Sequence, residues 1–95
     1  MKVDSILVTV HAFGLWQMIL GTKRQQVATK GRTLRDLIRD LNQIAQGKLE
    51  KEVLSSNGSL DPKFRIFVNG NASNDLNASL TDGDDVVLFA VIDGG

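Results

Sequence analysis

The chain ends Val91-Ile92-Asp93-Gly94-Gly95, and this ending holds the residues best suited to chemistry. A polypeptide has one α-carboxylate, and here it falls on a glycine preceded by a glycine. Without Cβ atoms, Gly94-Gly95 can lie extended in a slot too narrow for any other pair of residues. The free carboxyl has a pKa of roughly 3.3–3.7, so at neutral pH it is an anion and a poor electrophile. It accepts a nucleophile only after activation by another protein. The expectation is therefore a carboxyl terminus handled in an outside active site.

The rest of the chain is short of catalytic groups of its own. His11 is the only imidazole and there is no cysteine, so neither a Ser/His/Asp set nor thiolate chemistry is available. One histidine does not make a zinc site. The Asp82, Asp84 and Asp85 cluster lacks the spacing and closing Glu of a calcium-binding EF-hand loop. Residues 14–23 do not fit the G-x-x-x-x-G-K-[ST] phosphate loop. Any ATP site therefore belongs to a partner, and no cofactor is expected on this chain.

Composition narrows the partners. Ninety-five residues with 42% hydrophobic and 23% charged content suit one globular domain. Eleven basic and eleven acidic residues give a formal net charge of zero, which argues against a dedicated nucleic-acid binder. The charges are segregated along the chain: nine Lys/Arg against four Asp/Glu in residues 1–51, a surplus of +5, and two against seven in residues 52–95, a deficit of −5. Internal balance on folding is the simpler reading, and an acidic face near the C-terminus meeting a basic partner is the sharper one. No apolar run approaches a membrane span and Met1-Lys2-Val3-Asp4 does not open a signal sequence, so a soluble cytoplasmic protein without membrane contact is expected.

Certain elements must position the tail. Ser5 to Phe13 alternates as a strand, with Ile6, Val8, Val10 and Ala12 on one face and Leu7, Thr9, His11 and Phe13 on the other. Gly14 to Gly21 reads as a loop with an unusually apolar filling. Trp16 in it is suited to capping one end of the core, with a dimer or partner contact as the lesser alternative. Arg24 to Thr29 reads as a second strand, paired with the first in a hairpin. Thr33-Leu34-Arg35-Asp36 is a helix N-cap pattern, and Leu34, Leu37, Ile38, Leu41 and Ile44/Ala45 follow at helical spacing. Gly47 is a natural stop, with room for a further helical turn in residues 48–54. Phe64 to Val68 reads as a third strand, ended by the turn pair Asn69-Gly70. Leu76 and Leu80 pin an irregular connection. After the tight turn Thr81-Asp82-Gly83-Asp84, Asp85 to Val91 forms an almost wholly apolar last strand. The order predicts an α+β domain: a mixed sheet of four to five strands covered on one face by one main helix. Residues 1–91 form the domain and 92–95 a flexible Gly-Gly tail.

Val68-Asn69-Gly70, then Leu80-Thr81-Asp82-Gly83-Asp84-Asp85-Val86, then Leu88-Phe89 and the terminal Gly94-Gly95 together resemble the ubiquitin-like sulfur carriers. The resemblance is closest to the small subunit of molybdopterin synthase (MoaD) and its relative in thiamine synthesis (ThiS). Archaeal ubiquitin-like modifiers share the pattern. The resemblance implies a ubiquitin-like β-grasp fold over essentially the whole chain. It also implies an accessory protein rather than an enzyme. An adenylating partner of the ubiquitin-activating type would use ATP to activate Gly95, and sulfur would displace AMP to leave a thiocarboxylate. The sulfur would pass to the large subunit of molybdopterin synthase or another sulfur-accepting enzyme. Ala90-Val91 stand where many molybdopterin synthase small subunits carry prolines, and Asp93 stands where a small residue is common.

A slender tail loses conformational entropy on entering a partner, roughly 1–2 kcal/mol per residue, so the domain body should carry a docking patch near the last strand. Candidates are Val87, Phe89, Val91 and Ile92 on and after that strand, with Leu7 and His11 on the first. Spacing alone leaves Phe89 open between core and surface, while the resemblance assigns it to the partner side. His11 reads most simply as an exposed strand residue. The alternative function is a protein modifier joined through Gly95 to lysines of other proteins, and a third is a β-grasp interaction module with an inert tail.

Overall fold

The computed structural model describes residues 5–91. Its elements in chain order are β1 (Ile6–Ala12), α1 (Leu15–Leu20), β2 (Arg24–Thr29), α2 (Leu34–Ile44), α3 (Glu50–Val53), β3 (Phe64–Val68), β4 (Asn71–Ala72) and β5 (Asp85–Ala90). The five strands make one mixed sheet in the order β2-β1-β5-β3-β4. β1 and β5 run parallel at its centre, and all other pairs are antiparallel. This is the ubiquitin-like β-grasp, and β5, though last in sequence, lies in the middle.

α2 starts where the capping pattern places it. The Asp36 N–H donates to Thr33 Oγ1 at 3.2 Å, and the Thr33 N–H donates to Asp36 Oδ2 at 3.2 Å, the reciprocal capping box. A Cβ added to Gly31 would sit 2.0 Å from the Asp36 carboxyl carbon, so only glycine leaves room for this cap. The Thr33 hydroxyl bond is the main influence holding the Asp36 carboxyl below its usual pKa. Burial opposes it, and the Thr33 and Arg32 N–H groups and the Arg39 charge reinforce it. Leu34, Leu37, Ile38 and Leu41 then bury one stripe of the helix in the core.

That core receives residues of every long strand: Ile6, Val8, Val10 and Ala12 from β1, Val27 from β2, Phe64 and Ile66 from β3, Val86 and Leu88 from β5. Asn69 and Gly70, at φ 52° and 84°, make the two-residue turn that folds β4 back onto β3. Leu76 and Leu80 are buried, anchoring the irregular link into β5.

The segment between Gly14 and Gly21 is a helix, not the loop its apolar filling suggests. Gly21 closes it in the left-handed region at φ 79°, donating its N–H to the Gln17 carbonyl at 2.7 Å. No side chain caps its N-terminus, and six residues are too few to be stable alone. It is held by burial of Trp16, which is fully enclosed and packs edge-on to Phe64, ring centres 5.3 Å apart at 75°. Among the described residues no helix is long and apolar enough to cross a membrane.

Candidate functional site

Among the described residues the face of the sheet away from α2 carries no helix, and most of the sequence-predicted residues lie on it. Because β1 and β5 pair in parallel with His11 opposite Val87 and Thr9 opposite Asp85, odd-numbered residues of both strands share that face. β3 adds Phe67 opposite Val87 and Arg65 opposite Phe89. Leu7 is 44% exposed, while His11, Val87 and Phe89 are half-buried. Phe89 is thus not a core residue. Its ring stacks on Phe67 with centres 5.4 Å apart and planes 22° from parallel. Such a pair contributes about 0.5–1.5 kcal/mol beyond area burial and presents a flat aromatic surface. Phe67 escaped the sequence reading, although its alternation with the buried Ile66 placed it on this face.

His11 lies beside Val87 at one side of the patch. Its Nε2 donates to Asp85 Oδ1 at 2.7 Å. The pair bridges β1 and β5 across neighbouring rows of the sheet.

One end of β5 is locked by its preceding turn. Asp84 Oδ2 accepts the Thr81 N–H at 2.8 Å, and Oδ1 accepts the Thr81 hydroxyl and the Asn69 amide, each at 2.9 Å. Asn69 returns a bond by accepting the Asp85 N–H at 2.9 Å. Burial by itself raises the Asp84 pKa, but the bonds from the Thr81 N–H, the Asn69 amide and the Thr81 hydroxyl outweigh it and hold the carboxyl below its usual value. Asp82 Oδ1 accepts the Leu7 N–H at 2.8 Å, and the Asp84 carbonyl accepts the Thr9 N–H at 2.9 Å. The Thr81–Asp85 turn therefore clips β5 to both neighbours and fixes its register. A slip of one residue would exchange Phe89 for Leu88 on the open face.

At the other end the chain leaves the sheet. The Leu88 carbonyl accepts the Phe13 N–H at 2.9 Å and the Phe89 carbonyl accepts Trp16 Nε1–H at 3.0 Å. The Val91 N–H donates to the Lys63 carbonyl at 2.7 Å. Val91 is 44% exposed and stands at this exit. Trp16, expected as a core cap, does cap the core and also holds the backbone of β5 one residue before the strand ends. Ile92, Gly94 and Gly95 lie outside the described residues. So His11, Val87 and Phe89 are brought together, Val91 marks the edge of the patch, and Leu7 shares the face but lies at its far end against the turn before β5. Among the described residues no group of three or more His, Cys, Asp or Glu side chains could hold a metal ion. What the arrangement offers is an apolar contact surface beside the root of the last segment.

A sequence profile of the ThiS family matches residues 10–95. No curated protein sequence matches significantly. Among solved structures, the chain is similar to CysO of Mycobacterium tuberculosis, at 28% identity and TM-score 0.74 over 90% of this chain and 99% of that one. It is similar to a complex of subunits 1 and 2 of the molybdopterin-converting factor from Helicobacter pylori, at 26% identity and TM-score 0.58 over 95% of this chain and 100% of the matched one. SAMP1 of Haloferax volcanii shares the fold at 24% identity and TM-score 0.80 over 94% of this chain and 99% of that one.

Proposed function

This chain belongs to the ThiS family, and from that premise we propose that it is a sulfur carrier whose Gly95 is adenylated and converted to a thiocarboxylate. The sulfur then serves molybdopterin synthesis or a related thiolation route. The observation that carries this reading is the open patch of Val87 and Phe89 on the strand that precedes Gly94-Gly95, extended by Phe67 on the neighbouring β3. An enzyme that docks on Phe89 receives a chain end only six residues further on, which extended backbone carries at most about 20 Å from the strand.

The chemistry is divided between the two proteins. The partner supplies ATP and the groups that activate the carboxyl. This chain supplies the carboxyl, a slender end and a rigid body that fixes where the end begins. Attack of the Gly95 carboxylate on the α-phosphorus of ATP forms the acyl-adenylate and releases pyrophosphate. A sulfur nucleophile then displaces AMP, leaving sulfur in place of one carboxyl oxygen. The proposed partners are an adenylating enzyme of the ubiquitin-activating type and a sulfur-accepting enzyme such as the large subunit of molybdopterin synthase. The Helicobacter pylori relative, solved as a complex of subunits 1 and 2, supports the second.

Intact mass spectrometry of the chain co-expressed with the adenylating enzyme of the same genome tests the reading. A gain of about 16 mass units confined to the last peptide is expected, the difference between sulfur and oxygen at the carboxyl. An unmodified chain, with conjugates to other proteins that survive thiol reduction, would instead establish the modifier reading, since lysine attack on the same adenylate gives an isopeptide bond.

A further inference from the structure

The open face is electrically polarised along β5, and strand direction is the cause. β1 and β5 end where β2 and β3 begin, so residues far apart in sequence meet at the exit. Arg24 stands opposite His11 on one side of Val87, and Arg65 stands opposite Phe89 on the other. Lys23 and Lys63 flank the same end, their carbonyls accepting the Ala12 and Val91 N–H groups. Lys23, Arg24 and Lys63 are exposed and Arg65 is half-buried, its guanidinium donating to the Pro62 carbonyl. Among the described residues none of the four has a carboxylate partner within ion-pair distance. Asp61 also lies near this end, one of its oxygens accepting the Lys63 N–H at 3.0 Å. At the opposite end stand Asp82 and Asp85, bonded to the Leu7 N–H and to His11. Three carboxylates of the acidic C-terminal half, Asp82, Asp84 and Asp85, therefore gather at the start of β5, and the described side chains around the exit are mainly cationic.

We infer that the adenylating enzyme meets this face with carboxylates around the mouth of its tail channel, closing on Arg24 and Arg65 while an apolar surface covers Val87 and Phe89. This rests on the carrier reading and adds the chemistry of the partner. A flat apolar patch gives contact but no direction. Cations at one end and carboxylates at the other distinguish the tail-inward orientation from its reverse before contact is made, so the effect falls on encounter rather than on the chemical step.

The test is ATP–pyrophosphate exchange by the adenylating enzyme of the same genome, with this chain as the varied substrate. Arg24→Glu/Arg65→Glu is expected to raise KM about tenfold or more with kcat within about twofold. Raising salt from about 50 to about 300 mM is expected to raise the unmodified chain's KM several-fold and to leave the variant's unchanged or lower. Lys51→Glu, on α3 away from this face, serves as the charge control with unchanged KM. Circular dichroism confirms that each variant is folded. If the reversed pair leaves KM unchanged or lowers it while the unmodified chain is adenylated, the acidic mouth is overturned and the carrier reading stands. If the folded, unmodified chain supports no exchange, the carrier reading fails and this inference falls with it.

Discussion

Val86 and Leu88 leave β5 on one side, Val87 and Phe89 on the other. The first pair is fully buried under α2 and α1 in one continuous core. The second lies on the open face: Val87 is beside His11 and Phe67, and Phe89 stacks on Phe67 beside Arg65. Four residues of similar hydrophobicity thus hold two different jobs. Burial under a helix removes water permanently and stabilises the fold. A half-exposed aromatic pair leaves apolar surface open, which under the proposed function is where the partner docks.

The sharpest way to break this division is truncation on the covered side. Leu88→Ala should cost about 2–5 kcal/mol, read as a lower midpoint in urea unfolding, because a cavity opens under α2 that the packed core cannot refill. A cost under about 1 kcal/mol would mean that the covered face is not a close-packed core.

Asp84→Asn should cost about 1–3 kcal/mol, since one amide N–H2 must now face donors from Thr81 or Asn69. The same substitution should blunt acid denaturation. Asp84 and Asp36 both have pKa values held below the ordinary carboxylate value of 3.8 in the folded chain. Their stabilisation is complete above that value and is lost as pH falls through the lower folded values. Stability measured between about pH 5 and pH 2 should therefore fall more steeply for the unmodified chain than for the Asp84→Asn variant. Parallel curves would show that Asp84 carries no folding-linked charge.

The smallest effect on stability is expected on the open side. Phe89→Ala should cost about 1–2 kcal/mol, the stacking contribution with Phe67 together with the part of the ring already buried. In pyrophosphate exchange it should nevertheless raise KM about thirtyfold, as a central aromatic anchor contributing ~2 kcal/mol would. A large stability loss with unchanged KM would reverse the assignment of the two faces.

Several features were readable locally. The period-2 pattern of Ile6 to Ala12, the Thr33/Asp36 cap and the Asn69-Gly70 turn each involve residues within a few positions, so short-range sterics and hydrogen bonds specify them. α1 was missed although Leu15, Trp16, Ile19 and Leu20 recur at helical spacing between Gly14 and Gly21. Six residues gain too little from propensity to declare a helix, and the decisive term is burial of Trp16 against Phe64 and β5. Phe67 and Arg65 were missed for a related reason, since their importance comes from lying opposite Val87 and Phe89, residues twenty or more positions away.

By itself the sequence determined the strand–strand–helix–strand order, the capped amphipathic helix and the Gly-Gly end that follows an apolar strand. It did not determine which side of that strand faces outward. Residues 86–92 are apolar on both sides, so their alternation has a period but no sign, and only the placement of α2 and Trp16 chooses Leu88 for the core and Phe89 for the surface. Nor did it determine where the charges lie, because the cationic exit depends on β1 and β5 running parallel, a pairing between residues 76 positions apart that no local pattern encodes.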